Sequence, residues 1–162
     1  TNAAGTRLVA VNLMTNSFMA ENEPVFPALN DALVRNKLGR DADFILIDVH
    51  GEATSEKMAL GHYADGRASL VVGTHTHVPT ADHRVLAGGT AYQTDAGMCG
   101  DYDSVIGMDK NAATDRFLGR GTSRLSVALG PVTLSGVIVK TADTGLATAI
   151  YPLRRGGVLS PA

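Results

Sequence analysis

Apolar residues fall in short, dense runs divided by Gly, Pro and Asp. The first run, Arg7-Leu8-Val9-Ala10-Val11-Asn12-Leu13, is brief and rich in Val and Leu, which predicts a buried strand over 7–13. The segment 16–27 carries Pro24 and Pro27 among polar residues and reads as a loop leading into a helix. That helix is predicted at about 27–38, where Leu29, Ala32, Leu33 and Asn36 recur at helical spacing and Gly39 supplies a stop. Asp43-Phe44-Ile45-Leu46-Ile47-Asp48-Val49-His50 is almost continuously apolar until its polar end, the pattern of a central strand delivering its C-terminal end to a site. A helix over 53–65 follows, with Met58, Leu60 and Tyr63 as apolar positions and Gly66 beyond it. A second short buried strand at 69–73 then ends in Thr74-His75-Thr76-His77.

Strand, helix and strand thus alternate, with polar residues at the strand ends, which favours an α/β layered fold. After His77 the pattern changes. Gly88-Gly89 precedes a predicted strand at 90–94, a Gly-rich loop spans 96–107, and a short helix is expected at 109–118. Three strands are then predicted, at 124–129, 132–140 and 146–153, joined by Gly130-Pro131 and the turn Asp143-Thr144-Gly145. That end has the pattern of an antiparallel meander. The tail from Arg154 onward is expected to fray. No linker divides residues 1–162, so a single domain is expected.

Composition narrows this picture. A chain of 162 residues, 44% hydrophobic and 19% charged, can bury a core and does not have the balance of a disordered segment. A net charge of −2 and scattered arginines (Arg35, Arg40, Arg67, Arg84, Arg116, Arg124) exclude an extended nucleic-acid groove. Cys99 is the single cysteine, so no internal disulfide is expected. No apolar run reaches the roughly 18 residues of a membrane span, and the N-terminus lacks the build of a signal peptide. The default expectation is a cytoplasmic protein, and the missing initiator Met suggests a fragment or processed product.

The candidate chemistry lies in histidines. His50, His75 and His77 stand at or just beyond two predicted strand ends, where open α/β sheets place their ligand crevices. In an extended segment His75 and His77 would project to one face, about 7 Å apart. A parallel neighbour reached through a crossover helix would bring His50 beside His75. Imidazoles suit transition metals, but three histidines are too few for a two-metal phosphoryl site, which needs a bridging carboxylate. Asp48 and Glu52 flank His50. Asp48 could ligate directly or accept a ring N–H from a ligand, and Glu52 reads first as a helix N-terminal acid. Thr74 and Thr76 are expected to point away from the histidine face, while Asp82 and Asp95 have no specific support. His62 reads as a partly exposed helical residue, His83 as solvated, and Cys99 as a small apolar filler.

Four segments carry a resemblance: Asp48-Val49-His50-Gly51-Glu52-Ala53-Thr54-Ser55-Glu56-Lys57, Val72-Gly73-Thr74-His75-Thr76-His77-Val78, Gly89-Thr90-Ala91-Tyr92-Gln93-Thr94-Asp95-Ala96-Gly97-Met98, and Tyr102-Asp103-Ser104-Val105-Ile106-Gly107-Met108-Asp109-Lys110. The chain resembles the bacterial YmdB-like family of calcineurin-type metallophosphoesterases from Val11-Asn12-Leu13-Met14 to its last strand. The resemblance implies a layered α/β sandwich holding two divalent transition-metal ions, Fe or Mn first and Zn next. It also implies phosphodiesterase activity on 2′,3′-cyclic nucleotides or related small phosphodiesters; a homo-oligomer is an expectation for the chain apart from the resemblance. His50 and His75 would bind one ion and His77 the other. Family members also carry an Asp ligand, a Glu-Asn pair and an Asn-His pair upstream. Neither Thr1-Asn2-Ala3-Ala4-Gly5 nor Glu21-Asn22 matches these in residue type and motif order. The chain therefore reads as the C-terminal portion of a member, with no catalytic acid or base assignable in it. Two other readings stand beside this one: a non-catalytic nucleotide- or metal-binding regulatory domain, and a mononuclear zinc hydrolase using Asp48 or Glu52.

Overall fold

The computed structural model describes residues 5–18, 23–120 and 124–162. The stretch Thr1-Asn2-Ala3-Ala4 and the pair Glu21-Asn22 lie outside them. The elements are β1 (Leu8–Met14), α1 (Val25–Arg35), β2 (Phe44–His50), α2 (Thr54–Ala64), β3 (Leu70–Thr74), β4 (Arg84–Val85), β5 (Ala91–Gln93), β6 (Gly100–Asp101), α3 (Lys110–Phe117), β7 (Val132–Thr141) and β8 (Ala147–Arg155).

The main sheet has the order β1-β2-β3-β5-β4. Its first four members run parallel, and β4 closes the edge antiparallel to β5. Two right-handed crossovers that step in the same direction lay their helices on the same face. Accordingly Leu29 and Leu33 of α1 and Leu60 and Ala64 of α2 share one core with Ile45, Ile47 and Val49 of β2 and Val71 of β3. Complete burial of each of these Leu and Ile side chains contributes about 1.5–3 kcal/mol. The buried face of α2 is Lys57, Leu60, Gly61 and Ala64, whereas Met58 and Tyr63 are partly exposed. Gly61 lets the helix approach β5, since a Cβ there would lie 2.5 Å from the Tyr92 ring.

On the opposite face, β6-β7-β8 form an antiparallel sheet, as expected of a C-terminal meander. Ala147, Ile150, Val137 and Val139 pack there against Ala91 and Leu70. The meander is built differently from the prediction, however. Residues 124–129 form no strand: Val127 and Leu129 are exposed, and the segment is joined to the end of the Gly-rich loop by an isolated Met108–Val127 bridge. The third strand comes instead from the Gly-rich loop, where Asp101 accepts the Gly130 and Asp103 N–H groups and so ties β6 to the entry of β7.

Two further expectations are corrected. The strand at β1 is not buried, because it lies at the sheet edge with helices over one face only. Val9, Val11 and Leu13 are half-buried against the core while Leu8 is 56% exposed. A continuous apolar run does not reveal whether a strand is central or at an edge. The tail is also held: β8 extends to Arg155, Thr133 Oγ1 donates to Gly156 O, and Arg154 N–H to Ala162 O.

Candidate metal centre

The parallel register of β2 and β3 places His50 opposite Thr74, so the chain leaves both strands at the same level with His75 one residue beyond. Close passage there requires glycine. A Cβ on Gly51 would lie 1.8 Å from Thr15 Oγ1, and one on Gly73 1.7 Å from Thr94 O. Past β3 the chain does not remain extended. His75 has φ 116° and His77 φ 67°, so the expected same-face projection of the two histidines is replaced by a bend. Non-glycine residues at such angles cost about 1–3 kcal/mol each and persist where surrounding contacts hold them.

His50 and His75 meet. Their rings are perpendicular with centroids 5.0 Å apart, and His75 Nδ1 lies 3.3 Å from His50 Nε2. The hydrogen bonds behind them identify the tautomers. Thr74 Oγ1 donates its one proton to Asp48 Oδ1, 3.0 Å away, so it must accept from His50 Nδ1, also 3.0 Å away. Asp48 Oδ2 in turn accepts from Asn12 Nδ2 at 2.7 Å. On the other side, His75 Nε2 lies 3.0 Å from Glu52 Oε2, which can only accept when ionised. Each imidazole thus uses its outer nitrogen as a donor to oxygen, and the two inner nitrogens face each other lone pair to lone pair. A positive ion between them, a proton or a metal, removes the conflict. Two nitrogens 3.3 Å apart are also spaced as ligands of one ion at about 2.0–2.1 Å, so the pair fits a transition metal. Oxygen acceptors on the far nitrogens are the usual support of metal-binding histidines.

His77 does not join this pair. It is exposed, and its Nδ1–H donates to Ile106 O at 2.9 Å, leaving Nε2 as the nitrogen with a lone pair. A cavity of about 340 Å³ opens beside it, lined by Val78, Met98, Tyr102, Ser104, Val105 and Ile106. Among the described residues no cluster of three or more His, Cys, Asp or Glu side chains is close enough to hold an ion. Among them, too, no bridging carboxylate stands between His50 and His75.

Several polar residues act differently from expectation. Thr74 does not point away from the histidines but connects His50 to Asp48. Glu52 precedes α2 and contacts His75 directly. Asp95, fully buried, forms an ion pair with buried Lys57 at 3.1 Å and accepts the Thr76 N–H. Burial would raise the Asp82 carboxyl, but hydrogen bonds from Thr80 and Thr94 outweigh it and hold it below the ordinary carboxylate range. His62 is exposed as expected, whereas His83 Nδ1 is buried without a hydrogen-bond partner and Cys99 is an exposed thiol, not an apolar filler. No local sequence pattern marks Thr74 or Asn12 as part of this arrangement. For Lys57 a signal existed: with Leu60, Gly61 and Ala64 it completes an i, i+3, i+4, i+7 stripe.

A family model described as YmdB-like protein matches residues 1–153. The chain is 46% identical over 141 residues to the 2′,3′-cyclic-nucleotide 2′-phosphodiesterase of Bacillus subtilis (strain 168), a match covering 87% of this chain and 53% of that protein. A protein from Thermus thermophilus described as hypothetical superimposes with TM-score 0.86 at 41% identity, over 98% of this chain and 61% of the other. A phosphatase from Mycoplasma pneumoniae superimposes with TM-score 0.81 at 31% identity, over 92% of this chain and 53% of the other. The chain therefore spans little more than half the length of these relatives.

Proposed function

Because the chain belongs to the YmdB-like family, we propose that His50, His75 and His77 are metal ligands of a phosphodiesterase acting on 2′,3′-cyclic nucleotides or related small phosphodiesters. The observation that carries this reading is the opposed pair of inner nitrogens on His50 and His75, with both outer nitrogens held by oxygen. His50 and His75 would hold one divalent ion, and His77 Nε2 would serve a second. The metallophosphoesterase-type layered sandwich is part of the same proposal. So is a cytoplasmic location, together with the presence of two ions, Fe or Mn before Zn. No helix among the described residues is long and apolar enough to cross a membrane.

When bound, such ions supply Lewis-acid stabilisation of charge on the phosphoryl oxygens and a nucleophile usable at neutral pH. The chain's own residues then bind and orient. His50, held as the Nδ1–H tautomer by Thr74, would bind the ion through its Nε2 lone pair and would take no part in proton transfer. Glu52 does the same for His75 by accepting its Nε2–H. With no third ligand near this pair among the described residues, this chain supplies part of the site.

Metal analysis and hydrolysis of bis-p-nitrophenyl phosphate and a 2′,3′-cyclic nucleotide test the reading. The chain is expected to bind Mn²⁺ or Co²⁺ through the histidines with little turnover, and a His50→Ala, His75→Ala variant to lose that binding. Unchanged metal content in the double variant would sink the assignment. Robust, chelator-sensitive turnover by the wild-type chain would instead overturn the view that the site is partial.

A further inference from the structure

Lys57 and Asp95 are both fully buried, at 0% side-chain exposure, and both reach the main chain that carries His75. Lys57 Nζ donates to Thr74 O at 2.7 Å and to Asp95 Oδ2 at 3.1 Å. The same Asp95 Oδ2 accepts the Thr76 N–H at 2.9 Å, while Oδ1 accepts the Gly97 N–H at 2.9 Å. The residues immediately before and after His75 are therefore fastened to one buried ion pair. His75 itself has a φ of 116°, an angle that L residues rarely adopt without such support.

A buried ion pair is weak evidence for stability, because desolvating two charges offsets their attraction. What the structure shows of this pair is the geometry it imposes. Here it fastens the carbonyl at position 74 and the amide at position 76, the two main-chain groups that fix where the His75 ring emerges. Thr74 is held twice: its carbonyl by Lys57, and its hydroxyl by Asp48 and His50. Gly73 completes the arrangement, since a Cβ there would lie 2.8 Å from Lys57 Cδ.

We propose that Lys57 and Asp95 are positioning residues for the metal centre, a buried clamp that holds His75 in its bent conformation so that Nδ1 faces His50. The proposal rests on the metal-centre reading for its functional consequence but not for its geometry. Neither residue touches the ion or the substrate.

The test uses the full chain with Lys57→Met and Lys57→Met, Asp95→Leu variants. The double variant replaces the pair with apolar groups and avoids leaving one buried charge alone, while taking the Asp95 acceptor from the Thr76 and Gly97 N–H groups. Three measurements are made: thermal midpoint, amide hydrogen exchange along the chain, and Co²⁺ titration followed by the visible d–d bands. The double variant is expected to stay folded, with exchange at residues 75–77 accelerated at least about tenfold. Its Co²⁺ affinity is expected to fall about 10- to 100-fold with altered bands, the usual penalty for losing support behind a ligand. A folded variant with unchanged exchange at 75–77, or one that keeps wild-type Co²⁺ affinity and bands, would overturn the proposal. Loss of fold in both variants would assign the pair to global stability and overturn it equally. Wild-type protein that binds no Co²⁺, combined with accelerated local exchange in the variant, would refute the metal-centre reading and leave the clamp standing.

Discussion

His75 Nδ1 lies 3.3 Å from His50 Nε2 across two perpendicular rings, although the residues are 25 positions apart in the chain. The contact exists because β2 and β3 are parallel and in register at His50 and Thr74. Both rings arrive with their far nitrogens already committed to oxygen, which leaves their near nitrogens turned toward each other.

Thr74 is the point at which that commitment can be removed most cleanly. Thr74→Val deletes the hydroxyl linking Asp48 to His50 while keeping the volume, so the His50 tautomer loses its support. Metal affinity is expected to fall about 10- to 100-fold, with Thr74→Ser restoring most of it. Titration with Mn²⁺ or Co²⁺ checks this, and equal affinities in wild type and Thr74→Val would contradict the tautomer argument.

Glu52 provides the matching test on the other ring. It is exposed, so Glu52→Gln should change stability by no more than about 0.5 kcal/mol. The amide accepts the His75 Nε2–H less strongly than a carboxylate, so metal binding should weaken with no matching shift in the denaturation midpoint. A change confined to stability would show that Glu52 serves α2 and not His75.

Gly73 and Gly51 are constrained by close contacts. Gly73→Ala would bring a Cβ 1.7 Å from Thr94 O, and Gly51→Ala 1.8 Å from Thr15 Oγ1. Backbone must move in the first case, so a loss of about 3 kcal/mol or more is expected in urea denaturation. The second meets the whole side chain of fully buried Thr15, with Oγ1 at 1.8 Å, Cγ2 at 2.6 Å and Cβ at 2.7 Å, so rotation of Thr15 does not clear it and a comparable loss is expected. A neutral Gly73→Ala variant would mean that β3 and the chain after β5 are not packed this closely.

Acid stability should report Asp82. Its carboxyl titrates below the ordinary range in the folded state because Thr80 and Thr94 donate to it against the cost of burial. A depressed carboxyl stabilises the fold above its unfolded pKa, near about 4, and that stabilisation is lost as pH falls through the lower folded value. Asp82→Asn should cost about 1–2 kcal/mol at pH 7 and show a shallower loss of stability below about pH 4. Parallel stability profiles for the two proteins would rule out this contribution.

The alternation of strand and helix from residue 7 to residue 74 was legible because it depends on local pattern. Apolar runs of strand length, helical spacing at Leu29 and Leu33, and glycine stops at Gly39 and Gly66 need no knowledge of distant residues. Positions of His50 and His75 at neighbouring strand ends followed from the same pattern and the parallel crossover. The exposed edge at β1 and the missing strand at 124–129 were illegible, because apolar content does not say which neighbour will be present to cover it.

The sequence by itself determined the order of the elements, the α/β class and which histidines stand where strands end, since these follow from periodicity and residue type within short windows. Only the tertiary structure decided that Thr74 joins Asp48 to His50, that Glu52 takes the far nitrogen of His75, and that His77 turns away to Ile106. It also decided that Lys57, which looks like an ordinary helical cation, is buried against Asp95, 38 positions away. Such contacts depend on strand register and on backbone angles beyond a strand end, and those are set by packing between segments far apart in the chain.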